Sequence, residues 1–182
     1  MAANTLIKED SGFFYITFTC QDWLPLFGIT NSYDVIYKWF DYLNSKEQKI
    51  KAYVAMPNHL HVIIEFNKTP KSINTIISNG KRFMAYEIVK RLKEQYYDDI
   101  LARLSDAVSK SDEKRGKLHQ VFESSFDCKP ITNSYFFEQK LNYIHNNPCS
   151  GKWKLVESPV DYLHSSARYY LTGTQGDYEI KD

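Results

Sequence analysis

The hydrophobic pattern changes period several times along the chain, and each change marks an element. Phe13–Cys20 (FFYITFTC) is a run of aromatic and β-branched residues that predicts a strand, with Gly12 before it and a loop containing Pro25 and Gly28 after it. Tyr33, Ile36, Tyr37, Phe40 and Leu43 then recur at steps of three and four behind an Asn31 or Ser32 cap, which predicts an amphipathic helix ending near Asn44-Ser45. Residues 50–56 and 59–66 are two further strand-like runs, and the turn residues Pro57-Asn58 between them favour an antiparallel hairpin. A second helix is predicted from Ser72 to Lys93, with Ile73, Ile76, Ile77, Met84, Ile88 and Leu92 on one stripe. Gly80 lies on that stripe and marks a close approach of backbones. The acidic, weakly periodic stretch Glu94–Glu113 reads as a helical extension or a mobile insert. Phe126–Ile131 supplies a last strand, which Pro130 confines to a sheet edge or a strand end. A third helix follows, capped by Thr132 or Asn133 and stopped at Asn147-Pro148, and Ser158–Tyr170 holds a short further helix.

The order β-α-β-β-α-β is that of an α+β, ferredoxin-like antiparallel sheet, here with an additional C-terminal helix. At 182 residues the whole chain, 1–182, fits one domain, and 43% apolar with 25% charged residues is a globular balance that excludes disorder. No uncharged apolar run approaches the ~18–20 residues of a membrane span, and Met1-Ala2-Ala3-Asn4 starts no secretory signal, so a cytoplasmic protein is expected. Cys20, Cys128 and Cys149 form an odd set without a C-x-x-C pair, which argues against a disulfide framework and a zinc ribbon.

The formal charge of +1 does not advertise a nucleic-acid partner, so any such signal has to be local. One stretch qualifies. Between Lys68 and Lys93, seven basic residues (Lys68, Lys71, Lys81, Arg82, Lys90, Arg91, Lys93) oppose the single acid Glu87. Aromatic residues reach 15%, including 14 tyrosines, enough to supply either core mass or stacking surfaces for unpaired bases.

His59 and His61 sit two apart on a predicted strand and so project from one face, about 7 Å apart along the chain. Leu60, Val62, Ile64 and Phe66 make the opposite, wholly apolar face, which places the imidazoles on the side away from the core. Two imidazoles at this spacing suit one ion, and by donor type fit Zn, Mn, Ni or Cu better than Mg; two surface or partly buried histidines held by hydrogen bonds are the plainer alternative. On the third helix Phe137, Leu141 and Ile144 form the core stripe, while Phe136, Lys140, Tyr143 and Asn147 form a second stripe offset by about 100°. Asn147 is then either a third ligand or a helix C-cap, with Glu65 a competing ligand on the histidine face.

Two strings carry a resemblance. Tyr53-Val-Ala-Met-Pro-Asn-His-Leu-His-Val-Ile-Ile64 and Leu141-Asn-Tyr-Ile-His-Asn-Asn-Pro148, in that order and at that separation, resemble the tyrosine transposases of the HUH superfamily, and among them the REP-associated tyrosine transposases. The likeness runs from about Phe13 to Leu171 and includes Asn79-Gly-Lys-Arg-Phe83 and Asp161-Tyr-Leu-His-Ser-Ser-Ala-Arg168. It implies that His59, His61 and Asn147 bind a divalent cation, Mg or Mn, and that Tyr143 is the nucleophile of metal-dependent single-stranded DNA cleavage and strand transfer. The implied substrate is single-stranded or hairpin DNA from palindromic repeats, and the implied intermediate a 5′-phosphotyrosine with a free 3′-hydroxyl. Lys81 and Arg82, in the family-like segment, are the preferred DNA contacts, with Arg168 a further one. Tyr135, Tyr169 and Tyr170 are alternative nucleophiles. A non-catalytic nucleic-acid-binding relative and a zinc hydrolase in which water attacks are the rival functions. Whether the chain works as a monomer or a homodimer, and whether the tyrosine helix serves its own chain, stays open at this level.

Overall fold

The computed structural model describes residues 7, 9–151 and 153–181, so the N-terminal tetrapeptide weighed above lies outside the described residues. In chain order the elements are β1 (Gly12–Thr19), α1 (Leu26–Ile29), α2 (Tyr33–Asn44), β2 (Lys49–Met56), β3 (His59–Phe66), α3 (Ile73–Glu94), α4 (Asp98–Asp106), α5 (Lys110–Glu113), β4 (Asp127–Ile131), α6 (Ser134–Asn146) and α7 (Ala167–Thr172). The strands form one antiparallel sheet in the order β2-β3-β1-β4, the ferredoxin-like arrangement. β2 and β3 are joined across Pro57-Asn58, and the β1–β3 register sets Thr17 opposite His61 and Thr19 opposite His59.

Alternation within the strands builds two apolar layers. Phe14, Ile16 and Phe18 of β1 with Leu60, Val62, Ile64 and Phe66 of β3 bury one face beneath Ile36, Trp39, Phe40 and Leu43 of α2 and Ile77, Met84 and Ile88 of α3. The other face is covered as well. Tyr15, Ala52, Val54, Met56 and Ile63 pack against Leu141 and Ile144 of α6. Burial on both sides explains why β2 reads as a nearly continuous apolar run. The histidine face is thus roofed by the third helix, and His59 and His61 are themselves buried.

Several expectations are corrected. The Glu94–Glu113 stretch is neither an extension nor loose: a left-handed Tyr96 breaks the helix, and α4 restarts to bury Leu101 and Leu104 in the main core. The helix expected over Ser158–Tyr170 begins only at Ala167, after a short 3-10 turn at Pro159–Asp161. Ser32 does occupy the α2 N-cap, but without a side-chain cap bond; its hydroxyl accepts from Thr30 Oγ1 at 2.8 Å instead. Gly80 makes way for a side chain rather than a backbone, since a Cβ there would lie 2.5 Å from the Trp39 indole. At the third helix Asn133 is the working cap, accepting from the Phe136 amide at 2.8 Å.

The C-terminal segment completes the body. Tyr178 and Ile180 are buried in the main core, where Tyr178 packs with Tyr37, Phe40 and Tyr53. Residues 164–166 run along the outer edge of β2: Ala55 donates to the His164 carbonyl at 2.9 Å and Ser166 to the Tyr53 carbonyl at 3.0 Å. The Tyr170 hydroxyl donates to the Lys51 carbonyl farther along the same edge. The three cysteines are free, Cys20 fully buried.

Candidate active site

The sheet fixes both imidazoles through their Nδ1 atoms. His59 Nδ1 lies 2.7 Å from Asn58 Oδ1. Because Asn58 Nδ2 donates to the Trp23 carbonyl at 3.3 Å, the amide oxygen faces the ring and accepts from Nδ1–H. That tautomer leaves a lone pair on His59 Nε2, which points at Asn147 Oδ1 3.3 Å away. Two acceptors therefore face each other. His61 Nδ1 lies 2.6 Å from Thr17 Oγ1 and 2.8 Å from Tyr15 Oη, and its Nε2 is buried without a hydrogen-bond partner. The rings sit 4.7 Å apart, centroid to centroid. Burial pushes His59 down to about 4, and His61 is held well below the ordinary histidine range by burial, then by His59 and Lys140 nearby. Both are neutral at pH 7, the form that ligates metals.

These features fit a divalent cation: a buried orphan nitrogen, a second nitrogen aimed at an amide oxygen, and hydrogen-bonded Nδ1 atoms that set the ring orientations as second-layer partners do in metal sites. Among the described residues no group of three His, Cys, Asp or Glu side chains could hold a metal, so a site here relies on the Asn147 amide. Glu65 is out of reach, about 13 Å along β3 from His61, and pairs with Lys51 at 3.9 Å.

α6 delivers Asn147 and Tyr143 together, one helical turn apart. Leu141 and Ile144 anchor the helix in the second apolar layer, and His145 Nε2 lies in hydrogen-bond contact with Ser166 Oγ at 3.0 Å, where Ser166 already bonds the Tyr53 backbone. Tyr143 is left 51% exposed, its ring edge-to-face on His61 with centroids 5.2 Å apart. Lys140 stands one turn earlier, its ammonium 4.6 Å from the Tyr15 ring centroid and 5.8 Å from that of Tyr143. Tyr135, an alternative nucleophile, is exposed two turns from Tyr143. Tyr169 and Tyr170 belong to α7, and Tyr170 bonds the β2 edge.

The other expected contacts fall elsewhere. The Lys81 ammonium donates to the carbonyls of Glu123 (2.8 Å) and Ser125 (3.3 Å) and is ringed by Phe18, Phe122 and Phe126. Burial and neighbouring Lys117 push it down to about 8. It is a pin on the α3 face of the sheet, apart from the histidine cluster. Arg82 is exposed on α3 with its guanidinium over Phe83, and Arg168 donates to the Val160 carbonyl at 3.2 Å. Neither joins the histidine cluster.

Tyr15, Thr17, Asn58 and Trp23 surround the centre without having been expected there, and Lys140 joins them from the stripe it shares with Tyr143 and Asn147. Tyr15 and Thr17 share the histidine face by strand period, a signal that becomes usable only once the β1–β3 register is known. Trp23 is held differently. Asp22 and Trp23 both adopt left-handed backbone conformations, φ 53° and 57°, the only consecutive non-glycine pair to do so among the described residues. Each such residue costs on the order of 1–3 kcal/mol. Trp23 is 62% exposed and meets His59 edge-to-face at 5.9 Å.

No protein-family model matches the chain. An uncharacterised protein of Haemophilus influenzae is 25% identical over 150 residues, 77% of this chain and 82% of the relative. A solved REP-associated tyrosine transposase bound to a REP hairpin superposes with a TM-score of 0.65, covering 100% of this chain and 93% of that one at 16% identity. The chain has the fold of that transposase. In this fold the sheet packs its two main helices on one face, and α6 carries Tyr143 across the other.

Proposed function

We propose that the protein is a tyrosine transposase that cuts and rejoins single-stranded DNA at hairpin-forming repeats through a covalent bond to Tyr143. The observation that carries this reading is the half-exposed phenol packed on an imidazole whose Nε2 is buried and unpaired. A REP hairpin bound to the solved transposase of the same fold supports the substrate class.

In the reaction the Tyr143 hydroxyl oxygen attacks a phosphodiester phosphorus and releases its proton. The bond from phosphorus to the 3′ oxygen breaks, and that oxygen leaves as a 3′-hydroxyl. The 5′-phosphate stays on Tyr143, and attack by a 3′-hydroxyl reverses the exchange. A phosphodiester is kept throughout, so no ATP is required. His59 Nε2, His61 Nε2 and Asn147 Oδ1 would hold the divalent cation, Mg or Mn, with the imidazoles favouring Mn of the two. Such an ion, when bound, neutralises phosphate charge and favours a phenolate beside it. The chain's own groups orient the rest: Thr17 and Tyr15 fix the His61 ring, Asn58 fixes His59, and Lys140 adds a positive charge beside Tyr143 and the strand.

The test uses a 5′- and a 3′-labelled single-stranded hairpin drawn from palindromic repeats near the coding region. The wild-type protein forms a denaturant-resistant adduct with the 5′-phosphate side in the presence of Mn or Mg. Tyr143→Phe forms none while still binding the hairpin, and His61→Ala loses both adduct and Mn binding measured by calorimetry. An undiminished adduct in Tyr143→Phe rejects the nucleophile; hydrolysed ends without any adduct favour water as the attacking group.

A further inference from the structure

Trp23 is a large apolar ring left in solvent, and the loop that presents it is held at several points. The Trp23 amide donates to the Cys20 carbonyl at 3.1 Å, Gln21 to Val121 at 2.8 Å, and Asp22 to Glu123 Oε1 at 3.0 Å, with Arg103 pairing Asp22 at 3.2 Å. Asn58 closes the arrangement, since one amide group contacts both the Trp23 carbonyl and His59. The backbone that carries the indole is therefore fixed relative to His59, and the ring itself meets His59 edge-to-face. Its neighbours run in the order Trp23, His59, His61, Tyr143, each ring edge-to-face with the next, so Trp23 and Tyr143 mark opposite ends of the histidine pair.

A left-handed backbone is unfavourable for a bulky residue, and this one still leaves most of its surface in solvent. An exposed aromatic plane on a rigid loop, at the rim of a site that handles phosphodiesters, has the chemistry of a stacking platform for an unpaired base. Double-stranded DNA offers no free base face at such a ring. We infer that Trp23 stacks a nucleobase of the single strand flanking the cleaved phosphate, on the side of the centre away from Tyr143. The inference rests on the DNA reading above and adds a base-binding position to it. Stacking of this kind carries about 5- to 150-fold in affinity and is tolerant of sequence.

The experiment is a fluorescence-anisotropy titration of dye-labelled probes at fixed salt, with tryptophan emission recorded alongside, in the Tyr143→Phe protein so that no covalent capture intervenes. The probes are a 20-mer of thymidylate and a 20-mer of abasic units with the same phosphates. The thymidylate strand is expected to quench the indole emission and bind about 5- to 150-fold more weakly to Trp23→Gly, while the abasic strand binds both proteins equally. Glycine suits φ 57°, so this variant removes the ring without straining the loop. Trp23→Phe keeps a ring and is expected to hold the thymidylate affinity within about threefold. Unchanged thymidylate affinity in Trp23→Gly, or an equal loss on the abasic strand, overturns the stacking role alone. Absence of binding to either strand by the parent protein overturns the DNA reading and the inference with it.

Discussion

One missing methyl group lets α2 and α3 pack as they do. A Cβ on Gly80 would lie 2.5 Å from Trp39, and the indole Nε1 at that contact has no hydrogen-bond partner to hold it in place. Gly80→Ala adds about 1 kcal/mol of helix propensity, but overpacking a core costs about 1–3 kcal/mol. The expected outcome in urea unfolding is a net loss of up to about 2 kcal/mol, with Gly80→Ala/Trp39→Phe losing less than the two single changes together. At this scale the sequence identified the residues but not always their roles. His59 and His61 were legible because a strand period of two needs no tertiary knowledge. The carbonyl cage around Lys81 was not legible, because neither its charge nor its place in a family-like segment says which backbone oxygens meet its ammonium, and Trp23 was invisible because a left-handed backbone leaves no periodic trace.

Among the elements, α3 and the segment leading into β4 are joined by Lys81, whose ammonium reaches the carbonyls of Glu123 and Ser125. In the folded protein this lysine titrates at about 8, against about 10.4 when unfolded. Between those values the unfolded chain binds more protons, so the stability contribution of Lys81 rises as pH increases through that window and falls as pH drops through 8. The wild-type minus Lys81→Met difference in unfolding free energy should therefore increase from pH 7.5 to pH 10, whereas a flat difference would show that the burial of Lys81 does not perturb it. The strands and long helices were legible to within a residue or two because their periods are long and regular. α4 was not, since its two buried leucines, Leu101 and Leu104, are too few to stand out in an acidic stretch. The late start of α7 reflects the use of residues 164–166 as edge partners of β2, a tertiary demand that local pattern does not register.

For the molecule as a whole, the decisive feature is that α6 returns to its own sheet. Tyr143 lies on His61 of the same chain, through anchors that the chain also supplies in Leu141, Ile144 and the His145–Ser166 bond. Mixing Tyr143→Phe with His61→Ala, each inactive alone, should give no adduct above background; recovery of adduct on mixing would mean that the helix is exchanged between chains. The element order predicted the sheet, but not that both its faces would be roofed, because the second apolar layer is assembled from β1, β2, β3 and α6 and no single segment declares it.

The way the sheet ends has a further consequence. β2 is already bonded by residues 164–166, and β4 carries Pro130 between charged Lys129 and the strand end, with Asp127 at its start. Part of the β2 border is thus taken, and Pro130 removes a donor amide from β4, which makes each a poorer template for a strand from another chain. Two copies of the chain would accordingly gain little by joining edge to edge, and each is expected to keep its own four-stranded sheet.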